Sequence, residues 1–319
     1  MTALRHITLR SNPSALFPQF PYYAFVSFVQ DMLQKELLSW KAQPPASRGP
    51  PPPPSVLYFT PTPTYTLGRR QTEPLSDSEV ARLQSPLFVA ASDVLRGPRK
   101  PAFQPTIIRA PRGGLTTYHG PGQLVIWPVI DLHSPLHAHL SVRDYVCLLE
   151  KTTIAALERV WGLAAFTTEN PGVWVRSNGS QREDGSREGT GDERKIAALG
   201  VHTHRHVTGL GVAINYSTPV TGPAETNPWG RIVACGLGDR GVTSACAELG
   251  MDSSTNPMSG DKKVLDNLAK TWQSEFQRRL KIHKHVNSKA ESNVAQRLGA
   301  LLKSRDDYLV AASPISDLN

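Results

Sequence analysis

Cysteine is scarce in this 319-residue chain, which has only Cys147, Cys235 and Cys246. A small and odd number excludes a disulfide-stapled secreted framework and favours a reducing compartment, in which each thiol needs its own explanation. Long hydrophobic runs are missing too. The longest, residues 124–130, contains Pro128 and is far shorter than the roughly 18 residues of a membrane span. The sequence therefore predicts no membrane span.

Charged side chains are few as well, at 19% of the chain, yet basic residues outnumber acidic ones by 35 to 27 and give a net charge of +8. This excess favours acidic partners. Nucleic-acid binding is not predicted, because the densest basic stretch, residues 278–289, has no interleaved Phe, Tyr or Trp and no DNA-binding motif accompanies it. Hydrophobic residues make up 39% of the chain, which is enough for a folded globular core.

Two internal segments lack the residues that build a core. Residues 42–54 contain seven prolines and predict an extended, disordered insertion at the surface. Residues 177–194 contain no aliphatic side chain, so they can bury nothing that offsets their ordering entropy, and they predict a second disordered insertion. We therefore expect a catalytic domain over residues 1–283, with these two insertions, and a C-terminal extension over residues 284–319.

Apolar residues recur at helical spacing in the rest of the chain. Helices are predicted at 25–38, from Ser76 onward, at 142–161 and at 265–280. The second and third begin with patterns typical of capping boxes, Ser76 with Glu79 and Ser141 with Asp144.

Strand-like runs lie between the predicted helices. They are residues 7–9, Val56–Thr60, Thr106–Ala110, Gly122–Ile130, Val173–Arg176, Ile196–His206 and Gly211–Tyr216. The predicted fold class is α/β, with a mixed, α+β-like sheet flanked by helices.

The most informative stretch is RGGLTTYHGPGQLVIWPVIDL, residues 112–132. Four glycines surround Arg112, Tyr118 and His119 just before an apolar strand, which lets the backbone approach a ligand closely and point N–H groups at it. The spacing of these glycines is not that of either common nucleotide-binding loop. A tight hairpin with an incidental histidine remains an alternative on spacing alone.

Two further stretches carry reactive side chains. Lys195 begins the apolar run KIAALG. It is either a functional residue or a lysine at the edge of a sheet that keeps its charge in solvent. Cys235 lies beside Gly236 in a glycine-rich turn, whereas Cys147 lies among apolar residues of a predicted helix. Cys235 is therefore the best candidate for a nucleophile.

These stretches together, in this order, resemble the octanoyltransferases of lipoate biosynthesis. The resemblance covers most of residues 60–245 and is carried by YTLGRR at 65–70, YHGPGQ at 118–123, PGVWV at 171–175, KIAALG at 195–200, GVAIN at 211–215, and the Cys-Gly and Gly-Val-Thr-Ser pieces after them. It implies the catalytic fold of biotin and lipoate protein ligases and transfer of octanoyl from acyl carrier protein to a lysine of lipoyl domains.

The resemblance also implies which residues act. Cys235 matches the family's acyl-accepting cysteine and Lys195 its partner lysine. An acyl pocket is implied by matches at Arg112, Gly113, Gly114, Leu115, Thr116, Thr117, Tyr118, His119, Ala198, Leu199, Gly200, Gly211, Val212 and Ala213. Leu115, Leu210 and Ala234 depart from the family pattern, which leaves the Cys-Lys pair intact and the polarity of the pocket open.

A cysteine reacts as its thiolate, and a nearby ammonium at Lys195 would favour that form. The hypothesis is that Cys235 takes the octanoyl group from the carrier's thioester, while Lys195 helps to remove a proton from the incoming lysine. Thioester to amide is downhill, so the resemblance implies no ATP and no other cofactor. It further implies acceptors among 2-oxoacid dehydrogenases and the glycine cleavage H protein. The resemblance, the two insertions and the basic N-terminus, in which Arg5, His6 and Arg10 precede the first acidic residue, together predict a mitochondrial location. We also expect a monomer.

Three other functions stay open at this point. An ATP-dependent lipoate or biotin ligase would use Lys195 without Cys235, a binding module for lipoyl domains would need neither, and a cysteine hydrolase would use Cys235 with His119. A metal site is not predicted. Although His202, His204 and His206 alternate along a predicted strand, no cysteine or carboxylate pattern accompanies them. Trp127 and Trp174 are interpreted as core or pocket wall.

Overall fold

The structure is a computed structural model that describes residues 4–9, 20–88, 102–176, 192–232, 240–251 and 261–282. The helices are α1 Tyr23–Ala42, α2 Asp77–Gln84, α3 Val142–Trp161, α4 Ala245–Glu248 and α5 Asp261–Leu280. The strands are β1 Arg5–Thr8, β2 Ser55–Phe59, β3 Thr64–Leu67, β4 Leu87–Phe88, β5 Ala102–Phe103, β6 Thr106–Arg109, β7 Thr117–His119, β8 Gln123–Val129, β9 Val173–Arg176, β10 Glu193–His204, β11 Val207–Asn215 and β12 Gly241–Val242.

A mixed seven-stranded sheet forms the centre of the molecule, as the sequence predicts. Its strand order is β1-β2-β8-β11-β10-β12, and β9 also pairs with β10. The pairs β1–β2 and β10–β12 are parallel and the other pairs are antiparallel. A second sheet, in the order β6-β3-β7, joins the first through the short connection from β7 to β8.

Helices cover both faces of the main sheet, so that its central strands are buried on both sides. On one face, Ile126 of β8 is buried in a core with Tyr145 of α3 and Trp272 of α5. On the other face, Trp127 packs with Val26 of α1. Alternate residues of β8 thus belong to different cores, as the pleat of a strand requires.

The predicted helices and strands are confirmed, with shifts of a few residues at their ends. Both capping boxes form, with Ser141 and Ser76 each accepting a hydrogen bond from the backbone N–H three residues later. One boundary differs for a clear reason. The strand predicted to reach His206 ends at His204, because Arg205 and His206 have φ values of 48° and 68° and form the two-residue turn to β11.

Residues 42–54 are held by specific contacts rather than disordered. The indole N–H of Trp40 donates a hydrogen bond to the carbonyl of Gly49, and a single turn of 3-10 helix forms at Pro45–Ser47. Most of the segment is exposed, as its composition predicts, but Pro53 and Pro54 are buried. They are buried because they lead directly into β2, inside the main sheet.

The second predicted insertion is shorter than its composition suggests. Glu193 and Arg194 already pair with Arg176 and Val175 of β9, because β10 begins at Glu193. Residues 177–191 lie outside the described residues, as does the extension at 284–319. Among the described helices, none is both long and apolar enough to cross a bilayer.

Candidate active site

A small cavity lies between α1, β7, β8, β10 and β11. Its wall consists of Tyr23, Arg112, Thr117, His119, Val125, Trp127, Ala198, Leu199, Gly200, Leu210, Gly211, Val212 and Ala213. The volume open to the centres of water-sized spheres is about 30 Å³. Such a volume holds about two water molecules, so the cavity is narrow.

The cavity brings together nine of the fourteen residues for which the sequence predicts a pocket. They are Arg112, Thr117, His119, Ala198, Leu199, Gly200, Gly211, Val212 and Ala213. Their convergence follows from the pairing of β10 with β11, in which Gly200 lies opposite Gly211 and Ala198 opposite Ala213. Segments far apart in the sequence thus form one wall.

The other five predicted residues lie outside this cavity. Gly113, Gly114, Leu115 and Thr116 belong to the turn that precedes β7. Tyr118 is in β7, but successive side chains of a strand point to opposite faces, and Thr117 and His119 face the cavity. The Tyr118 ring instead packs against Tyr65 and Trp229, with ring centroids 5.4 and 5.8 Å apart.

Four further residues line the wall, and of these the sequence indicated only Trp127, which was interpreted as core or pocket wall. Val125 and Trp127 share one face of β8, so the alternation of that strand was a usable signal. Tyr23 comes from α1, and only the packing of this helix on the sheet reveals it. Leu210 occupies the left-handed region with φ of 61° and donates its N–H to Oε1 of Gln30 at 2.6 Å.

Arg112 is fixed in the wall by hydrogen bonds to the second sheet. Its Nη2 donates to the carbonyl of Thr66 at 2.6 Å and to Oγ1 of Thr66 at 2.7 Å, and its Nη1 donates to the carbonyl of Gly113 at 2.9 Å. Two glycines make room for this side chain. A Cβ on Gly200 would lie 2.7 Å from Cδ of Arg112, and a Cβ on Gly68 would lie 2.8 Å from its Nη1.

His119 is a neutral imidazole in this cavity. Burial, followed by the positive charge of Arg112, lowers the pKa of His119 to about 3, although a hydrogen bond with the Gln123 side chain raises it. The ring stacks on Tyr23 with centroids 5.6 Å apart, and its buried Nδ1 has no hydrogen-bond partner among the described residues. A neutral histidine has no positive charge with which to stabilise a thiolate.

Acid should destabilise the protein through His119. Between the ordinary pKa near 6.5 and the folded value of about 3, the unfolded chain binds a proton that the folded chain does not, so stability falls as the pH drops below 6.5. At about pH 4.5 the loss from this residue is about 2 to 3 kcal/mol. Urea unfolding at several pH values measures it. His119→Gln should flatten the pH dependence, whereas the exposed control His204→Gln should keep it. Equal slopes in His119→Gln and wild type would contradict the assignment.

A β-bulge in β10 decides which face of the sheet Lys195 occupies. Ala197 pairs with Val173 and Lys195 with Trp174, so that Ile196 is an extra residue. Simple alternation would put Lys195 on the face of Ala197, which packs with α3 and α5. The extra residue turns Lys195 to the other face, over the Trp174 ring. The lysine therefore shares a face of the sheet with the cavity.

The ammonium of Lys195 is held in a nearly closed environment. The residue is only 7% exposed, and its Nζ lies 4.6 Å from the centroid of the Trp174 ring. Nζ also donates a hydrogen bond to the carbonyl of Pro171 at 3.2 Å. A cation over an aromatic face with a carbonyl acceptor is stabilised by both. Lys195 is thus a buried side chain rather than an exposed one at the sheet edge.

Cys235 and Ala234 lie outside the described residues. The described chain resumes at Arg240, whose guanidinium carbon is 5.3 Å from the centroid of the same Trp174 ring. Two residues later, Val242 of β12 pairs with Lys195, and the N–H of Thr243 donates to the carbonyl of Lys195 at 3.0 Å. Residues 240–243 therefore run directly beside Lys195.

A buried polar network connects the cavity to this strand edge, and the sequence analysis did not find it. Nε2 of Gln123 donates to Oδ1 of Asn215 at 2.8 Å, and Nδ2 of Asn215 donates to the carbonyl of Thr243 at 2.9 Å. Oγ1 of Thr243 donates to Glu248, which pairs with Arg194 at 3.0 Å. Gln123 and Asn215, the polar residues that end the strings YHGPGQ and GVAIN, could have indicated this network from the sequence.

Comparison with known proteins shows which family the chain matches. A family model described as the lipoyl protein ligase A/B catalytic domain matches residues 32–259. The chain is 31% identical over 244 residues to the probable octanoyltransferase of Schizosaccharomyces pombe, covering 76% of this chain and 87% of that protein. It is 34% identical over 200 residues to the mitochondrial octanoyl-(acyl-carrier-protein):protein N-octanoyltransferase of Danio rerio, covering 63% of this chain and 70% of that protein.

Bacterial proteins match as well. The octanoyltransferase of Pseudarthrobacter chlorophenolicus is 33% identical over 175 residues, covering 55% of this chain and 70% of that protein. Among solved structures, a bipartite lipoate protein ligase from Thermoplasma acidophilum aligns with a TM-score of 0.47 and 13% identity, covering 93% of this chain and 91% of that chain.

Proposed function

Because the chain belongs to the lipoyl protein ligase A/B catalytic-domain family, we propose that it transfers octanoyl through a thioester on Cys235, with Lys195 as the proton-transfer partner. The chain is an octanoyltransferase, an acyltransferase of protein lipoylation, with the catalytic fold of biotin and lipoate ligases. The donor is an acyl carrier protein and the acceptor a lipoyl domain. The proposal concerns the residues that carry the acyl group between them.

The observation that carries the proposal is the placement of Lys195. The Lys195 side chain is buried on the face of the sheet that holds the cavity. Its backbone pairs with that of Val242, which lies seven residues after Cys235. A free cysteine has a pKa of about 8.5 and is mostly protonated at neutral pH, so a thiolate nucleophile needs a nearby positive charge. The buried ammonium of Lys195 supplies one.

The proposed reaction has two steps that balance in atoms and charge. The Cys235 thiolate attacks the carbonyl carbon of the carrier's thioester, a new C–S bond forms, and the carrier sulfur leaves with a proton from the Lys195 ammonium. The amine of the acceptor lysine then attacks the acyl-cysteine, the amide forms, and neutral Lys195 takes the proton that this amine loses. Both the thiolate and the ammonium are thereby regenerated.

We propose that the acyl chain enters the cavity of β10 and β11. Val125, Trp127, Leu210 and Ala213 give this cavity apolar walls, and each buried methylene contributes about 0.8 kcal/mol. The cavity is narrow, and we expect the side chains of its wall to shift when the acyl chain binds. The departure at Leu210 increases the apolar lining, whereas Leu115 is not part of it.

The structure argues against the hydrolase alternative. With a pKa of about 3, His119 is far too weak a base to take a proton from a thiol whose pKa is near 8.5. The ligase alternative would consume ATP, which a thioester donor does not require. The relatives are named octanoyltransferases rather than ligases, in agreement with the first proposal.

We further propose that residues 1–283 act as one catalytic domain, in a monomer that works in mitochondria. The eukaryotic relatives are named mitochondrial, and Arg5, His6 and Arg10 precede the first acidic residue of the chain. We propose the lipoyl domains of 2-oxoacid dehydrogenases and the glycine cleavage H protein as the acceptors.

The proposal is tested by the mass of the protein after incubation with octanoyl-carrier. We expect one octanoyl adduct on the wild type that hydroxylamine removes, because a thioester is labile to it, and no adduct on Cys235→Ser. Cys147→Ser and Cys246→Ser are matched controls and should form the adduct as the wild type does. An adduct that persists in Cys235→Ser, or one located on Cys147 or Cys246, would overturn the assignment.

A further inference from the structure

The turn behind Lys195 is held from its other side by a carboxylate of α3. Oε1 of Glu150 accepts a hydrogen bond from the N–H of Gly172 at 3.1 Å. The preceding carbonyl, that of Pro171, accepts the hydrogen bond from Nζ of Lys195. Glu150 and Lys195 therefore bind the two ends of the same peptide group, which joins Pro171 to Gly172.

The turn has no space for a side chain at Gly172. Its φ is +140°, a value that residues with a side chain rarely adopt, and a Cβ would lie 3.0 Å from Cε of Lys195 and 2.9 Å from the carbonyl of Ala197. The turn is also closed by Trp174, whose indole N–H donates to the carbonyl of Asn170 at 3.1 Å. The position of the turn thus determines where the lysine stem and its ammonium lie.

The negative charge of Glu150 also acts on Lys195. Burial raises the pKa of Glu150, whereas the Gly172 N–H and the positive charge of Lys195 lower it. Other carboxylates at this edge of the sheet are already engaged by arginines. Glu169 and Glu193 pair with Arg240, whereas no ion pair of Glu150 is found within the described part of the chain.

We propose that Glu150 is a positioning residue for Lys195. Its hydrogen bond to Gly172 fixes the turn that receives the ammonium, and its negative charge favours the protonated form of the lysine. The inference rests on the proposed function, in which Lys195 gives up a proton in the first step and takes one back in the second. Glu150 acts through Lys195 and does not touch the reacting atoms.

The two parts of this role are separated by two substitutions. Glu150→Gln keeps an oxygen acceptor for Gly172 but removes the negative charge that favours the protonated lysine, so the pH profile of transfer should move toward acid. Glu150→Ala removes the acceptor as well, and the loosened turn should reduce single-turnover transfer about a hundredfold. A purely structural role would lower the rate without moving the profile. The control is Glu158→Gln, an exposed carboxylate two turns further along α3, which should leave both unchanged.

A spectroscopic readout makes the test independent of the activity. In protein labelled at the ε-carbon of lysine with ¹³C, the Lys195 signal is identified by its loss in Lys195→Arg, and its titration midpoint is measured. We expect a lower midpoint in Glu150→Gln than in the wild type. An unchanged midpoint and pH profile in Glu150→Gln would overturn the electrostatic role, and wild-type transfer by Glu150→Ala would overturn the positioning role. Failure of the cysteine proposal would instead appear in the adduct mass and would leave the titration as it is.

Discussion

Lys195→Met is expected to reduce octanoyl transfer to a lipoyl domain by about a thousandfold, in the range typical of a lost acid-base group. Methionine keeps the apolar stem over the Trp174 ring but has no ammonium, so the cysteine loses its counter-charge and the leaving sulfur its proton donor. The carbonyl of Pro171 also loses its hydrogen bond from Nζ, which costs about 1 to 3 kcal/mol of stability. Single-turnover transfer and urea unfolding measure the two effects separately.

A second variant at the same position resolves the two proposed steps. Lys195→Arg keeps a positive charge, but a guanidinium does not lose its proton in proteins. Both steps then lack proton transfer, but acyl-enzyme formation keeps the positive charge that stabilises the thiolate, so it should suffer less than the transfer from the acyl-enzyme to the acceptor. Lys151→Met removes an exposed lysine of α3 and should behave as the wild type. Wild-type transfer by Lys195→Met would remove the lysine from the mechanism.

The helices and the long strands could be predicted because their sequences repeat with the period of the element. In α3 the apolar spacing and the Ser141 capping box both indicate the same start, and the structure agrees with them. Short elements carry too few residues for a period. The two residues of β12, which pair with Arg194 and Lys195, could not be recognised as a strand from Gly-Val alone.

The candidate site could be predicted in its segments but not in its geometry. The glycines that make room for Arg112, Gly68 and Gly200, lie outside the glycine-rich stretch that the sequence singled out, so this contact was not predicted. A bulge and a left-handed residue are set by tertiary pairing, so the face of Lys195 and the conformation of Leu210 could not be read from residue types. Tyr23 reaches the cavity only because α1 crosses the sheet there.

Two predictions differ from the structure because each applied a general rule at a position where it does not hold. They concern the proline-rich segment and Tyr118. The proline-rich segment was predicted to be disordered because its composition favours extended, solvated polyproline over a packed core. Proline can nevertheless pack where it precedes a strand, as Pro53 and Pro54 do before β2. Alternation along β7 similarly removes Tyr118 from the pocket, although its neighbours on both sides belong to it.

An added methyl group should have very different effects on stability at Gly200 and at Gly211, the two glycines of the cavity wall. At Gly200, a Cβ would meet the side chain of Arg112, with Cδ at 2.7 Å and Cβ at 3.2 Å. At Gly211, it would meet the backbone of β8, with the carbonyl oxygen of Ile126 at 2.3 Å and Cδ of Pro128 at 2.9 Å. A side chain can shift within a cavity, whereas two paired strands cannot separate without loss of their ladder.

Gly200→Ala is therefore expected to unfold about 1 to 2 kcal/mol more easily than the wild type, the cost of modest overpacking. Its transfer rate per folded molecule should fall about a hundredfold, because Arg112 has to leave its hydrogen bonds with Thr66 and the wall moves with it. Gly211→Ala should lose more than about 3 kcal/mol, since the clash is with a neighbouring strand of the main sheet. Urea unfolding gives the stabilities, and single-turnover transfer normalised to the folded fraction gives the rates. If Gly200→Ala retained the wild-type rate while Gly211→Ala unfolded, Arg112 would hold its place in the wall for stability and not for the acyl group.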